Sequence, residues 1–469
     1  AFENRSSEKD SEYFSDGISE ELLNVLSKVP GLRVAARTSS FYFKVKPASL
    51  KEIARELNVF YLVEGSVQRD GSRARIGASL FRADTGDTIW ADRFDTELKD
   101  IFTAQDEIAR LIASKLSLNL SAPSRPARVV DPAMHGLVLE GRYFLTQRDT
   151  GFPRAEAAFA QALKLDPEFA PAHAGLAAVH VLKAVFRIID GVGGNAAGLA
   201  EGRRFAQQAL ALDASLVDAH STAGYEALLS GRFNESEQHF QRGLAVNPND
   251  AFTHHWRAHL LARLGQLDRA LEENALAAEL DPFSWALLSG YSGQLALACR
   301  HQDTLTALER LLAIRPNFLP AQGLAAVQML RLGRSAEAIA LARQVLENPQ
   351  PSQRQWADVS AVQVLHEGQL DGDVRTYAAK VLASYPAEDP RRPALLAAAG
   401  RFEEALVTPI KSPVDPFNAR FYFWAEAWDP IRDEPRFEQR IAQLGLTKEY
   451  KVARETLQRM LKQPKLKKP

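Results

Sequence analysis

Of the three imidazoles in HHWRAH at 254–259, two, His255 and His259, lie four residues apart. That spacing puts both rings on one side of a helix, where a divalent metal such as zinc can be held. A closed metal site needs further donors, and no acidic or cysteine side chain lies close by in sequence to supply them. The histidines His173, His220 and His254 also fall at one recurring position in the chain. Rings packed between helices are therefore the expected role, and no metal is expected. GVGGNA (191–196) has the outline of a dinucleotide-binding glycine loop. Such a loop opens a helix directly after a strand, whereas this one follows an alanine-rich helical segment and reads as a loop inserted between helices. The acids of RADTGDTIWADRFD (82–95) alternate along a hairpin, as on a solvated sheet face, and do not read as a catalytic carboxylate pair. Phosphate-loop, GxSxG, HExxH and CxxC patterns are all missing from the sequence. No catalytic residue and no cofactor are expected within these residues, and the chain is read as non-enzymatic.

Lys plus Arg number 57 against 58 Asp plus Glu, so a net charge of -1 gives no overall attraction to nucleic acid or to an anionic membrane. Direct nucleic-acid binding is not expected. The single cysteine, Cys299, excludes an internal disulfide framework and a thiolate metal cluster, and it reads as a packing residue. No apolar run reaches the roughly 18 residues a membrane span requires. The basic KQPKLKK (462–468) reads as a solvated tail. A chain of 469 residues is too long for one core and suggests about three folding units.

Repetition organises most of that length. At a step of 34 residues, Gly231, Gly265, Cys299 and Gly333 form one column. Gly224, Ala258, Ser292 and Ala326 form a second, and Ser236, Ala270, Thr304 and Ala338 a third. Pro248, Pro282 and Pro316 form a fourth, with Pro349 one residue early. Two antiparallel helices approach closely only where contact positions are small, and a glycine beside their turn relieves the backbone. Leu267, Leu271, Leu276 and Leu280 recur at helical intervals, and proline, lacking an amide hydrogen, closes the second helix. The unit is helix, turn, helix; one copy cannot bury its apolar face, and stacked copies can.

These columns resemble the tetratricopeptide repeat. Further copies are read at 151–167, 201–214, 353–386 and 400–405, giving seven or eight repeats; in the second, FRIIDGVGGNAAGLAEG (186–202) lengthens the connection between helices and Ala214 replaces the closing proline. The resemblance implies that the first helix of each repeat lines a concave groove. Mapped onto this chain, the groove positions are Tyr225, Phe252, His255, His259, Arg263 and Arg331, an aromatic and cationic wall suited to a protein or peptide partner.

Ahead of the repeats the composition turns β-branched and aromatic. VFYLVEGSVQR (59–69) and SRARIGASLFRA (72–83) read as strands around an Asp70-Gly71 turn, and a second turn at 85–87 leads to TIWADRF (88–94). Helices are expected at 17–28, capped by Ser19 or Asp16, at 49–57 and at 101–118. The expected fold is an α+β domain with a mostly antiparallel sheet over 1–122, a linker at 123–132, an all-α repeat solenoid over 133–410, and a helical cap with a basic tail over 411–469. The N-terminal stretch resembles the TolB-like domain of bacterial regulatory proteins, and AWDPIRDEPRFEQRIAQLGL (427–446) is similar to the tail of many such chains. That resemblance implies an apolar strand ahead of Phe2. It also implies a role in signalling or transcriptional regulation, downstream of a winged helix or a class III nucleotide cyclase domain, with a stand-alone envelope scaffold as the alternative. The compartment would be periplasmic if a membrane helix precedes Ala1 and cytoplasmic otherwise.

Overall fold

A computed structural model of the chain describes residues 1–6, 12–29, 31–70, 73–97, 101–116, 132–146, 150–189, 196–348, 357–387, 389, 391–409, 426–447, 450–451 and 454–455. Pro349, the loop at 191–195, the linker residues 123–131 and the basic tail lie outside them. The described residues form two compact units. The first comprises Ala1–Lys183, Ala196–Arg257 and Ala275–Ser284, and the second Ala184–Asn195, Ala258–Asn274 and Trp285–Pro469.

In the first unit, alternating strand sequences build a sheet in the order β1-β2-β3-β4, with β1 at Glu3–Asn4, β2 at Tyr61–Asp70, β3 at Arg73–Arg82 and β4 at Thr88–Glu97. β2 and β3 pair antiparallel from Tyr61↔Arg82 to Asp70↔Arg73, and β4 continues antiparallel with a bulge at Leu80/Phe81. The closing pair moves the two-residue connection on by one, to Gly71 and Ser72, which are outside the described residues. β1 adds a short parallel edge through Glu3↔Ser66. One face carries Val67, Ile76 and Leu80, buried against Ile18, Leu22 and Leu26 of α1 (Glu12–Ser27) and Ile108 and Ile112 of α4 (Ile101–Lys115). Phe2 closes this core over Gly65, where a Cβ would stand 2.5 Å from the ring, so only glycine fits.

Two helical expectations need correction. α1 begins well before residue 17, so Ser19 and Asp16 are interior and cap nothing. Ser19 Oγ instead accepts the Phe2 amide at 2.7 Å and donates to the Ser15 carbonyl at 2.9 Å, while Asp16 pairs with Lys44. A helix at Arg37–Val45, α2, was not expected from its serine-rich, aromatic sequence. α3, Leu50–Leu57, is held by a Ser49–Glu52 capping box.

Eight helix pairs follow among the described residues. They are α5 and α6 (Pro132–Thr146, Phe152–Leu165), α7 and α8 (Ala170–Ile189, Ala196–Leu212), α9 and α10 (Val217–Leu229, Phe233–Val246), and α11 and α12 (Ala251–Arg263, Leu267–Leu280). Next come α13 and α14 (Trp285–Leu297, His301–Ile314), α15 and α16 (Leu319–Arg331, Ser335–Glu347), α17 and α18 (Ala357–Glu367, Asp371–Ser384), and α19 and α20 (Arg391–Ala398, Phe402–Val407). In the second unit Trp428 of a 3₁₀ turn at Glu426–Ile431 and Phe437 of α21 (Pro435–Gln443) join one core with α17 and α19.

Each sequence column has a physical counterpart. Ser236, Ala258, Ala270, Ser292, Thr304, Ala326 and Ala338 are all at most 1% exposed, so small side chains occupy helix contacts closed to solvent. The Gly231 column takes the left-handed conformation that ends each first helix. Gly231, Gly265, Gly333 and Gly400 have φ of 71–79°, and Cys299 and Gln369 adopt it without being glycine, at 53° and 60°. The following amide then reaches back to close the turn, as Arg232 N does to Ala227 O at 2.8 Å and Arg300 N to Leu295 O at 3.0 Å. The second helix opens on a further column that sequence reading passed over. Arg232, Arg300, Arg334 and Arg401 each direct Nε to an acid three residues on, at 2.7–2.8 Å, which places a carboxylate at the positive helix end. Leu276 departs from the expected apolar stripe and is 36% exposed.

Tightness is greatest around Phe159 of α6, which is fully buried between Gly141 of α5 and Gly175 of α7; a Cβ at either glycine would stand 2.4–2.6 Å from its ring. Gly175→Ala is expected to lower stability by about 1–2 kcal/mol, as overpacking costs roughly 1–3 kcal/mol and alanine returns up to about 1 kcal/mol of helix propensity. In a Phe159→Leu background the same change should cost distinctly less. Denaturant unfolding of the four proteins measures this, and equal costs in both backgrounds would remove the ring from the explanation.

Candidate protein-interaction site

The expected groove residues sit on first helices of repeats, as the periodicity requires. Tyr225 of α9 is nearly buried, at 4% exposed, because its ring stacks on Trp256 of α11 at 4.8 Å and 5°. Phe252, one turn earlier on α11, is tilted against Trp256 at 5.9 Å and 54°. Three aromatic rings thus lie in a row in the first unit, with Phe252 and Trp256 half-buried. Trp256, the centre of the row, was missed by sequence reading although it stands inside the HHWRAH motif. His255 is buried, at 8% exposed. In the second unit, His259 and Arg263 are half-buried on α11. Arg331 of α15 corrects the expectation of a cationic wall: Glu367 of α17 receives both its guanidinium nitrogens, Nη2 at 2.9 Å from Oε1. Burial would raise the Glu367 carboxyl, but the hydrogen bonds from Arg331 and Gln363 outweigh it and hold the group below its ordinary value.

The recurring histidine position is structural. His173 Nε2 lies 2.8 Å from Pro167 O, His220 Nε2 3.0 Å from Ala214 O, and His254 Nε2 3.0 Å from Pro248 O, while Gln322 donates to Pro316 O at 2.9 Å. Each ring ties the start of one repeat to the loop before it. Burial lowers the His220 imidazole below its usual range. Among the described residues no cluster of three His, Cys, Asp or Glu side chains could hold a metal.

Arg142 of α5 and the loops that follow two successive repeats form a further surface, within the first unit, and it receives the α+β domain. Arg142 of α5 donates to Glu20 of α1 at 2.8 Å and to Asp218 of α9 at 2.7 Å, and Arg37 of α2 donates to the same Glu20 at 2.7 Å. Burial is the largest influence on Glu20 and pushes its carboxyl up; the two guanidiniums together overcome it, leaving the group below its ordinary value. One repeat further on, Asn249 Nδ2 donates to both Ser27 O and Leu32 O at 2.8 Å. At the next loop Ala36 N donates to Leu280 O at 2.7 Å, and Tyr42 stacks on Phe283 at 4.0 Å with Phe43 edge-on to it at 5.3 Å.

Asp213, Asn247 and Asp281 are equivalent positions in successive repeat loops. In the first two the side chain closes its own turn, accepting the amide two residues on, Ser215 N or Asn249 N, at 2.9 Å. In the third, Ser39 is inserted into the turn. Its hydroxyl donates to Asp281 Oδ1 at 2.5 Å and accepts from Phe283 N at 2.9 Å, and its amide donates to Asp281 Oδ1 at 2.9 Å. The N-cap residue of α2 is Ala36, which has no side-chain acceptor. Asp281, 242 residues away, therefore supplies the cap that the local sequence lacks.

Burial pushes the Asp281 carboxyl up to about 6 against the opposing hydrogen bonds of Ser39 and Thr38 and the charge of Arg37. A folded value above the unfolded one means that the folded state holds the extra proton, so this contribution is full below the model-peptide value near 4 and is lost as pH rises through about 6. Stability should accordingly fall between pH 4 and about 6 from this group, and Asp281→Asn, which keeps the acceptor, should flatten that part of the profile. Ser39→Ala is expected to cost about 1–3 kcal/mol, by leaving buried polar groups unmatched. Amide exchange in α2 should accelerate while β2 and β3 stay protected; unchanged protection of α2 would dismiss the cap supplied by Asp281.

A family profile described as tetratricopeptide repeat matches residues 239–272, from α10 to α12. A Rhizobium meliloti (strain 1021) protein named "Putative adenylate cyclase 3" is 35% identical over 241 residues, half of this chain and 40% of that protein. The chain thus spans less than half the length of that relative. Among solved structures, the human IFIT1 dimer with PPP-AAAA is similar at 15% identity and a TM-score of 0.47, covering 96% of this chain and 95% of that one. A thermophilic repeat protein of Thermus thermophilus is similar at 19% identity and a TM-score of 0.35, covering 42% of this chain and 100% of that one. The profile match and the column geometry make these repeats tetratricopeptide repeats, a protein-interaction scaffold. Among the described residues no helix is long and apolar enough to cross a membrane.

Proposed function

We propose that this chain is the non-catalytic sensing and interaction region of a bacterial signalling protein whose output is nucleotide cyclisation by a domain of the class III cyclase type. The observation that carries this reading is the 35% identity over 241 residues to a protein named as an adenylate cyclase, of which the chain accounts for 40%. The absence of catalytic motifs from the sequence agrees with it, as does the resemblance of the N-terminal domain to TolB-like domains of regulatory proteins. A regulatory region needs a surface that takes a signal and a firm connection that passes it on. Tyr225, Trp256 and Phe252 offer the first in the first unit, as an aromatic row with His255 buried beside it in sequence, and Arg263 offers a cation in the second unit. The contacts of Arg142, Asn249 and Asp281 with the α+β domain offer the second. The partner is a peptide or protein segment bearing apolar and acidic side chains, because the half-buried rings of Phe252 and Trp256 select the former and Arg263 the latter.

The test uses acidic, aromatic-containing peptides displayed as an array and titrated with the purified chain. Phe252→Ala and Arg263→Glu should each weaken the best binder roughly tenfold or more, as central anchors of a small interface do. Arg331→Glu should act mainly on stability, because it sets a second carboxylate against Glu367. Binding that ignores the first two changes would refute the groove assignment. The chain alone, given ATP and a divalent metal, should form no cyclic nucleotide; turnover would refute the non-catalytic reading.

A further inference from the structure

β4 is a strand of ten residues that stands at the edge of the sheet among the described residues. In the sheet order it has β3 on one side and nothing on the other, and among the described residues no backbone hydrogen bond from outside the sheet reaches it. Seven of its residues are exposed: Thr88, Ile89, Ala91, Asp92, Arg93, Asp95 and Glu97. Edge strands are commonly protected by charged side chains, lysine above all, and by proline, bulges or shortness. Charges of one sign repel a second edge, where charges of both signs can match it. TIWADRFDTE has no lysine and no proline, and its irregularity is confined to the bulge near its start. The Arg93 amide is occupied by the carboxylate of its own neighbour, Asp92 Oδ1, at 2.8 Å. That is a local substitute for the acceptor a further strand would offer.

The charge pattern of this edge is self-complementary in the one register that pairs seven or more strand residues and sets no like charges together. Centring on Trp90 also avoids like charges but pairs only five. Two copies of β4 paired antiparallel about a two-fold axis perpendicular to the sheet keep the same faces together, so even-numbered residues meet even and odd meet odd. Centring on Asp92, Arg93 or Asp95 sets that charge against itself. Centring on Ala91 opposes Asp95 to Asp87, and centring on Thr96 opposes Asp95 to Glu97. Centring on Phe94 opposes Arg93 to Asp95 twice, Ala91 to Glu97, Asp92 to Thr96, and the two Phe94 rings to each other, with no like charges in contact. Arg93 and Asp95 both lie on the outer face, opposite Gly77 and Arg75 of β3. Asp95 already meets Arg75 at 2.6 Å across the sheet, so the second copy's Arg93 would extend an Arg75–Asp95 ladder across the join.

We propose that the open edge of β4 pairs with the same edge of a second copy of this chain, antiparallel and centred on Phe94, to form a dimer with one continuous sheet. Opposite charges at directly facing positions stabilise a strand pair and like charges destabilise it, so they fix the register as well as the affinity. Sedimentation velocity over a rising concentration series should show a monomer–dimer equilibrium for the unaltered chain. Arg93→Asp and Asp95→Arg should each shift it to monomer, since each alone creates two like-charge contacts. An equimolar mixture of the two variants should recover the dimer, because every contact in the mixed pair is then between opposite charges. As a second measurement in a Cys299→Ser background, Ala91→Cys and Glu97→Cys chains, mixed, should form an intermolecular disulfide, whereas Ala91→Cys alone should not. A chain that stays monomeric at every concentration, a dimer indifferent to both charge changes, or a mixture that stays monomeric would each overturn the proposal.

Discussion

The distance between the two helices of a repeat governs most of what this chain does. It is set by side chains of almost no size: Ser236, Ala258, Ala270, Ser292, Thr304, Ala326 and Ala338 lie at contacts closed to solvent. Where more room is left, a single ring fills it, as Phe159 does between Gly141 and Gly175 and Phe240 does against Gly224. Close-packed interiors respond to the addition of one methylene, so the columns cannot drift. A fixed helix spacing in turn fixes the phase of every loop that joins one repeat to the next. Asp213, Asn247 and Asp281 are presented as equivalent points of a regular array, and the α+β domain engages the second and third of these loops. Loops of irregular length could not have offered Asn249 and Asp281 to one rigid surface.

The third of those loops shows how a repeat can depart from its own pattern to make a specific contact. The internal hydrogen bond of the turn, present at Asp213 and Asn247, is opened at Asp281 and rebuilt through Ser39. Nothing is left unmatched, since the serine hydroxyl donates to the carboxylate and accepts from the amide that the carboxylate would otherwise have taken. The same carboxylate caps α2, whose own sequence, with Ala36 at the N-cap and Ser39, Ser40, Phe41 and Tyr42 following, is a weak helix former. Local order in α2 is therefore conditional on a contact across 242 residues. A helix so conditioned loses its cap with any event that displaces the third repeat loop.

What could be read from the sequence followed the range of the interactions involved. The repeat columns, the turn glycines and the three main strands depend on neighbours within one repeat or one hairpin, and they were legible. Even Cys299 was placed correctly as a stand-in for a column glycine, and its positive φ gives the reason the column exists. α2 was invisible because its cap is not encoded beside it. Ser19 looked like a cap because serine before an apolar run usually is one, yet tertiary contact with Phe2 determined its role. At the interaction site Tyr225 and Phe252 were named and Trp256, which joins them, was not, because adjacency between first helices of successive repeats does not show in a one-dimensional count. Arg331 was taken for a bare cation because Glu367 lies a full repeat away.

The charges buried between the α+β domain and the repeats set orientation more than they add stability. Glu20 is 7% exposed at its side chain and stands between Arg37 and Arg142. Removing such a group from water costs several kcal/mol before its partners compensate, and an apolar residue of similar volume could fill the space at no such cost. An apolar contact, however, would tolerate rotation of one body on the other. A carboxylate held at 2.7 and 2.8 Å by guanidiniums from α2 and α5, one of which also grips Asp218 of α9, tolerates very little. Three elements distant in sequence are thereby held in one relative orientation, which is the condition under which a change at the repeats can be felt in the sheet.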